Sequence, residues 1–351
     1  MTIKNKPRTT GRASAARAPS VVTLEMVAQA AGVSPSTVSR ILNGSAVVSE
    51  LKKKAVDQAV ADLGFIPNPV ARGLAGGRTL SVGVITQAID SPFYGAALRG
   101  IEDELDPVGY SALFVSGHWN ATIEAHCINV LRSRRVDGII VLTGRLTDQA
   151  LKLCAKSMPV VVTGRTLQAA GLVALNFNNF AGGQTATRHL IELGHRQIAF
   201  ISGDAEQPDG IERLRGYRAA LEAAGIAYNP ALVVSGDFTE ASGILAVDRL
   251  LETRQRFTAV FAANDQMAFG AGLALYRHSI RVPQDVSLVG FDDLLTSLHV
   301  IPPLTTVHQP AYELGRLAAT AMLQLLAGIK PSLELPAPRL IERESSARVH
   351  A

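Results

Sequence analysis

The apolar positions of this chain change period near residue 80, and the change separates two parts of different architecture. Before that point the spacing is helical. Leu24, Val27, Ala28 and Ala31 fall on one stripe, as residues three and four apart do on a helix. Thr23 stands where an N-cap belongs, and Gly32 supplies a left-handed stop. Ser34 then caps a second helix, with Pro35 in its first turn, where a missing N–H costs nothing. Val38, Ile41 and Leu42 face inward and leave Ser36, Thr37, Ser39 and Arg40 on the outer side. A third helix over 50–63, between Ser49 and Gly64, completes a three-helix core with Val56, Ala59, Val60 and Leu63. Residues 65–69 read as an extended break, and 70–75 as a short helix of marginal stability closed by Gly76 and Gly77.

From Leu80 onward short apolar runs alternate with amphipathic stretches. The runs at 81–85, 111–115, 138–142, 160–163, 172–175, 197–201, 232–234, 258–262 and 286–289 predict strands. Helices are expected between most of them, among others at 94–105, 123–134, 180–193, 211–224, 239–251 and 265–278. That alternation predicts parallel sheets with helices on both faces, in two halves of similar rhythm, about 80–178 and 179–308. A late helix at 311–326 and a run at 339–342 must pack back on one half or the other. Ligands of such sheets lie beyond the carboxyl ends of the strands, so a cleft between the halves is the natural small-molecule site.

Composition sharpens this picture in three places. The chain has 351 residues, too many for one core, and its hydrophobic content is 47% with only 5% aromatic residues. The net charge of +4 conceals an asymmetry: the first 78 residues hold eleven basic and four acidic side chains, which leaves −3 on the remaining 273. Positive charge gathered at one end marks a phosphate-binding module, whereas a charge run by itself is more often a solvated face. The two cysteines, Cys127 and Cys154, fall in helical patterns and read as buried free thiols rather than a disulfide framework. No run is long enough to span a membrane, and residues 1–21 read as a disordered basic arm, not a secretory signal. A cytoplasmic protein, bound to the nucleoid when on DNA, is expected.

Several motifs together resemble one family. They are Val27-Ala-Gln-Ala-Ala-Gly-Val-Ser-Pro-Ser-Thr-Val-Ser-Arg-Ile-Leu-Asn43, Pro67-Asn-Pro-Val-Ala-Arg-Gly-Leu74, Ser91-Pro-Phe-Tyr94, Val136-Asp-Gly-Ile139, Gly194-His195, Ala263-Asn-Asp-Gln-Met-Ala268 and Val289-Gly-Phe-Asp-Asp293. The chain resembles the LacI–GalR family of bacterial transcription regulators over nearly its whole length after residue 21. The resemblance implies a helix-turn-helix head at 22–66, a hinge helix and linker at 67–79, and a two-lobed core of the periplasmic-binding-protein type. The first lobe would comprise 80–178 with 311–337, the second 179–308 with 338–346. It also implies a homodimer on a palindromic operator in double-stranded DNA. A small sugar-like effector between the lobes would control the grip on DNA, in a repressor of carbohydrate-catabolism genes.

Site residues follow from the resemblance. Pro35, Ser36 and Arg40 fall at the base-reading positions, with the Arg40 fork suited to guanine. Thr23, Ser34, Thr37, Ser39, Asn43, Lys52 and Asn68 would meet the DNA backbone, and Leu74 would wedge into the minor groove. The effector would meet Phe93 and Tyr94 from the first lobe, and Arg213, Phe238, Asn264 and Asp292 from the second. The alternative for Phe93 and Phe238 is core packing, for Asn264 a helix cap, and for Leu74 packing against a neighbouring unit. Gly164-Arg165 stands where many relatives carry Asp beside Arg, which adds Arg165 to the site and tilts the ligand towards a sugar acid or sugar phosphate. No cofactor, metal site or enzyme constellation emerges: the eight His are scattered, and neither a phosphate loop nor a nucleophile elbow is present. The rival readings are a sugar-binding receptor without regulatory role and a sugar-modifying enzyme.

Overall fold

The computed structural model describes residues 22–42, 48–65 and 77–349. It divides into two compact units, 1–79 and 80–351. In the first, helices α1 (Leu24–Ala30), α2 (Pro35–Leu42) and α3 (Glu50–Leu63) enclose Val27, Ala28, Val38, Val56 and Ala59. Thr23 accepts a hydrogen bond from the Met26 N–H, and Gly32 and Gly64 adopt positive φ at the helix ends. Phe65, expected in an extended break, is instead buried and closes this core. An aromatic residue next to a small core lowers the free energy more inside it than in solvent. The expected 70–75 helix lies outside the described residues.

The second unit holds two parallel sheets. The first contains β1 (Ser81–Thr86), β2 (Ser111–Ser116), β3 (Gly138–Val141), β4 (Val160–Thr163) and β5 (Leu172–Leu175), in the order β2-β1-β3-β4-β5. The second contains β6 (Ile198–Ser202), β7 (Val233–Ser235), β8 (Ala259–Ala262), β9 (Ser287–Asp292), β10 (Thr305–His308) and β11 (Arg339–Ile341), in the order β11-β10-β9-β8-β6-β7. Every pairing is parallel except β10 with β11. Strands β3, β4, β8 and β9 are buried along their whole length, which is why they read as unbroken apolar runs. The strand at 305–308 was not anticipated; its Thr-Thr-Val-His sequence carries little apolar signal.

Helices cover both faces of each sheet. In the first lobe these are α4 (Pro92–Leu105), α5 (Ala121–Ser133) and α6 (Asp148–Ala155). In the second they are α7 (Asn179–Glu192), α8 (Pro208–Ala223), α9 (Glu240–Glu252) and α10 (Asp265–Arg277). The late helix α11 (Ala311–Leu326) packs on α4 in the first lobe, whereas β11 and the tail join the second. The chain therefore passes between lobes three times, near 176–178, 309–310 and 327–338. The tail is stitched in: Ser345 is buried, its carbonyl accepts from Leu288 N–H, and Val349 N–H donates to the Leu193 carbonyl.

Paired glycines set how closely helices cross. A Cβ at Gly100 would meet the Tyr312 carbonyl, and one at Gly315 the Ala97 carbonyl, both well inside van der Waals contact. Gly183 with Gly216, and Gly243 with Gly270, do the same for α7–α8 and α9–α10. The obstacles are backbone atoms, which cannot swing aside. Gly315→Ala is therefore expected to destabilise the first lobe by about 1–3 kcal/mol or more. Urea denaturation followed by circular dichroism measures this, and an unchanged midpoint would refute the close-crossing argument.

Candidate functional site

Two surfaces carry the residues singled out above, one in each unit. On the head, Pro35, Ser36 and Arg40 are exposed, and Ser36 and Arg40 share a face of α2, being four residues apart. Ser34 Oγ accepts from Thr37 N–H at 3.2 Å and lies 2.8 Å from Thr37 Oγ1 and 2.9 Å from Ser36 Oγ. These three hydroxyls form one polar cluster at the start of the helix. Thr37 and Ser39 are half-buried, while Thr23 and Lys52 are exposed. Asn43, Asn68 and Leu74 lie outside the described residues.

In the core unit a cavity of about 320 Å³ opens between the carboxyl ends of the two sheets. The first lobe contributes Phe93 and Tyr94, which open α4 behind its Pro92, and Trp119 from the loop after β2. Their rings meet edge to face, with centroids 5.4 Å apart for Phe93–Tyr94 and 6.4 Å for Tyr94–Trp119. Trp119 has φ 53, and its N–H donates to Gln87 Oε1 at 2.8 Å. The second lobe contributes Arg213, Phe238, Asn264 and Asp292. Phe238, at φ 71, lays its ring over Gly203; a Cβ there would fall inside the ring. Asn264 caps α10 by accepting from Met267 N–H at 2.9 Å, and donates to the Phe238 carbonyl at 2.9 Å. It thus serves the fold and lines the cavity at once.

Arg213 organises the floor. Its Nε donates to Asn179 Oδ1 at 2.9 Å, Nη1 to the Ala263 carbonyl and Nη2 to Gln309 Oε1 at 2.8 Å. The guanidinium lies 3.7 Å above the Phe291 ring, and Asp292 Oδ1 is 3.7 Å from Nη1. Asn179 also donates to Asp209 Oδ1 at 2.9 Å. Burial pushes Asp209 and Asp292 above the ordinary carboxylate range; Arg213 pulls both back, while Asp265 and Asp209 push Asp292 further up. Beneath them Asp265 accepts from the Ser297 and Thr306 hydroxyls, each at 2.6 Å, and from Leu294 N–H at 2.8 Å. Burial also raises the Tyr94 phenol, and the charge of Asp209 adds to that. A planar apolar ring face beside carboxylates, an amide and a guanidinium can take up a polyhydroxylated ring.

Comparison with known proteins follows the same division. Residues 23–68 match "Bacterial regulatory proteins, lacI family", and 187–346 match "Periplasmic binding protein-like domain". The chain is 38% identical over 315 residues to the HTH-type transcriptional regulator CelR of Thermobifida fusca, covering 87% of this chain and 92% of the relative. It is 36% identical over 299 residues to catabolite control protein A of Priestia megaterium, covering 85% and 90%. Among solved structures, the lac repressor dimer bound to operator and the anti-inducer ONPF matches with a TM-score of 0.84 and 31% identity, over 93% of this chain and 99% of that one. The protein belongs to the lacI family of bacterial transcription regulators. Its relatives are regulators of transcription and not enzymes.

In this LacI-family chain the cleft gathers Phe93, Tyr94, Arg213, Phe238, Asn264 and Asp292, but not Arg165. The Arg165 guanidinium donates to the Gly144 carbonyl at 2.6 Å and the Leu146 carbonyl at 2.7 Å, and meets Asp148 at 3.2 Å. Nη1 and Nη2 thus bond a neighbouring loop, and Arg165 is not among the residues that line the cavity. Sequence reasoning missed Trp119, Asp209, Asn179 and Gln309. Trp119 is the sequence's only tryptophan, a signal that could have found it.

The buried acids generate a pH dependence of defined sign. Asp265 is pushed from 3.8 up to about 6. The folded chain therefore binds more protons than the unfolded chain in that window, and this contribution to stability falls as pH rises through it. Asp265→Asn is expected to flatten that component, read from urea midpoints across the window. Identical slopes in the two proteins would show that Asp265 carries no linked proton.

Proposed function

We propose that this regulator is a repressor whose grip on DNA is set by a neutral, polyhydroxylated ligand, a sugar, held between the lobes. The observation that carries the reading is the cavity itself, with aromatic faces from the first lobe opposite buried acid, amide and guanidinium groups from the second. Five carboxylates line it (Asp90, Asp209, Asp237, Glu240 and Asp292) against one guanidinium, Arg213. Even with Asp209 and Asp292 pushed up by burial, Asp90, Asp237 and Glu240 outnumber Arg213, so an added anion would face surplus negative charge, which disfavours the sugar acid or phosphate that Arg165 had suggested. CelR was solved as a complex with cellobiose, which supports the same ligand class.

On DNA, exposed Arg40 with Ser36 and Pro35 would read bases, and Thr23, Ser34, Thr37, Ser39 and Lys52 would meet phosphates. Asn43, Asn68 and the Leu74 wedge complete this reading. A homodimer is supported by an apolar face of the second lobe: Tyr276 is 79% exposed, Leu295 74% and Ile301 98%, beside a groove lined by Phe269, Leu273 and Ile280. A two-fold protein implies a palindromic operator. Ligand and operator would then prefer different lobe arrangements, and each would change the other's affinity by the same factor.

Two measurements test this. A thermal-shift screen is expected to show stabilisation by one or more neutral sugars and none by their phosphates or acids, with the shift lost in Asp292→Asn. Stabilisation confined to the anionic compounds would overturn the ligand class. Arg40→Ala is expected to cost about 1–3 kcal/mol of preference for operator over random duplex while leaving salt-sensitive binding. Retained selectivity in a gel-shift titration would remove Arg40 from base reading.

A further inference from the structure

Arg145 crosses the cleft without lining the ligand cavity. It sits on the loop after β3, in the first lobe, and its Nη2 meets Asp204 Oδ2 at 2.5 Å. Nη1 pairs with Glu206 Oε2. Both acids belong to the loop after β6, in the second lobe. The guanidinium therefore ties the lobes together directly, at the rim where they close.

The loop that carries Arg145 is gripped from two sides. The Glu124 carboxylate, fully buried on α5, accepts from Arg145 N–H at 2.9 and 3.0 Å and from Leu146 N–H at 2.9 Å. Arg165 donates to the carbonyls of Gly144 and Leu146, the residues on either side. Gly144 has φ 132, and a Cβ there would lie 2.7 Å from Glu124 Oε2 and 2.8 Å from Gln87 Nε2. One anion thus takes the N–H groups of Arg145 and Leu146, and one cation takes the carbonyls of Gly144 and Leu146. Burying a carboxylate is costly unless it accepts such bonds, and here it spends them on fixing the backbone under Arg145.

We propose that Arg145 is an inter-lobe latch: its ion pairs with Asp204 and Glu206 hold the lobes closed in the absence of ligand, and Glu124 and Arg165 preset its position. Side chains of Arg145 and Asp204 are 29% and 31% exposed, and that of Glu206 73%, so solvent screens both contacts. Pairs of this kind bias a two-state equilibrium by about three- to tenfold. That is enough to set how much closed protein awaits a ligand and so how tightly it appears to bind. The latch concerns the lobes alone and does not depend on the ligand being a sugar.

Trp119 faces the cleft and is the sequence's only tryptophan, so acrylamide quenching of its fluorescence reports opening in the ligand-free full chain. Arg145→Gln is expected to raise the quenching constant by about twofold, with Arg145→Lys restoring much of the protection. Added salt is expected to increase quenching in the parent chain and to have little effect in Arg145→Gln. Arg215→Gln, which breaks an exposed pair within one helix, serves as the control and should change neither reading. Should Arg145→Gln fail to fold, the Asp204→Asn/Glu206→Gln pair breaks the same contact from the other lobe. Glu124→Gln and Arg165→Gln are expected to give smaller rises; none from either would reduce the clamp to a structural role and refute the presetting. Quenching and salt response at parental values in folded Arg145→Gln, or in the double variant, would overturn the latch.

Discussion

A guanidinium in an apolar interior must be compensated on every side, and Arg213 is where this chain meets that requirement. Its five partners come from four separate places: Asn179 at the start of α7, the Ala263 carbonyl after β8, Phe291 and Asp292 at the end of β9, and Gln309 on a segment that crosses between lobes. Removing the cation would strand Asp292 in the interior, a loss on the order of 3–5 kcal/mol. Satisfying one charge thus fixes the floor of the cleft and one strand of its hinge together. The lining of the cavity and the geometry of the lobes share the same side chain.

The backbone around that floor is held away from its relaxed conformations. Phe238, Asp292 and Asp293 all have positive φ, which side-chain-bearing residues rarely adopt. Asp293 is clamped by Arg343 at 2.5 Å and His308 at 2.8 Å, which holds the turn that presents Asp292. Gly203 leaves room for the Phe238 ring. Such positions persist only where their surroundings over-determine them, and here those surroundings include the C-terminal segment.

Much of this was legible in the sequence. The change of period near residue 80 located the two units, and the buried strands read as apolar runs because both faces of each sheet are covered. Arg213 stood out as a cation in an apolar helix. What stayed hidden depends on residues distant in sequence. Arg165 looked like a ligand-binding cation because nothing local shows that two carbonyls twenty residues earlier turn towards it. Asp209 lies just ahead of the helix expected at 211–224, and only the fold brings it to Asn179. The glycine crossings pair residues such as Gly100 and Tyr312, which no window of sequence joins.

The return of α11 to the first lobe has a consequence for how the protein is made. Helix α4 ends at Leu105, yet the helix that covers it begins only at Ala311. A ribosome adding about 5–20 residues per second needs roughly ten seconds or more to bridge that interval. Throughout it, the apolar flank of α4 and one face of the first sheet stay open to solvent, unable to find their native cover. The first lobe is therefore born before it can be finished, its exposed flank waiting on residues 311–326.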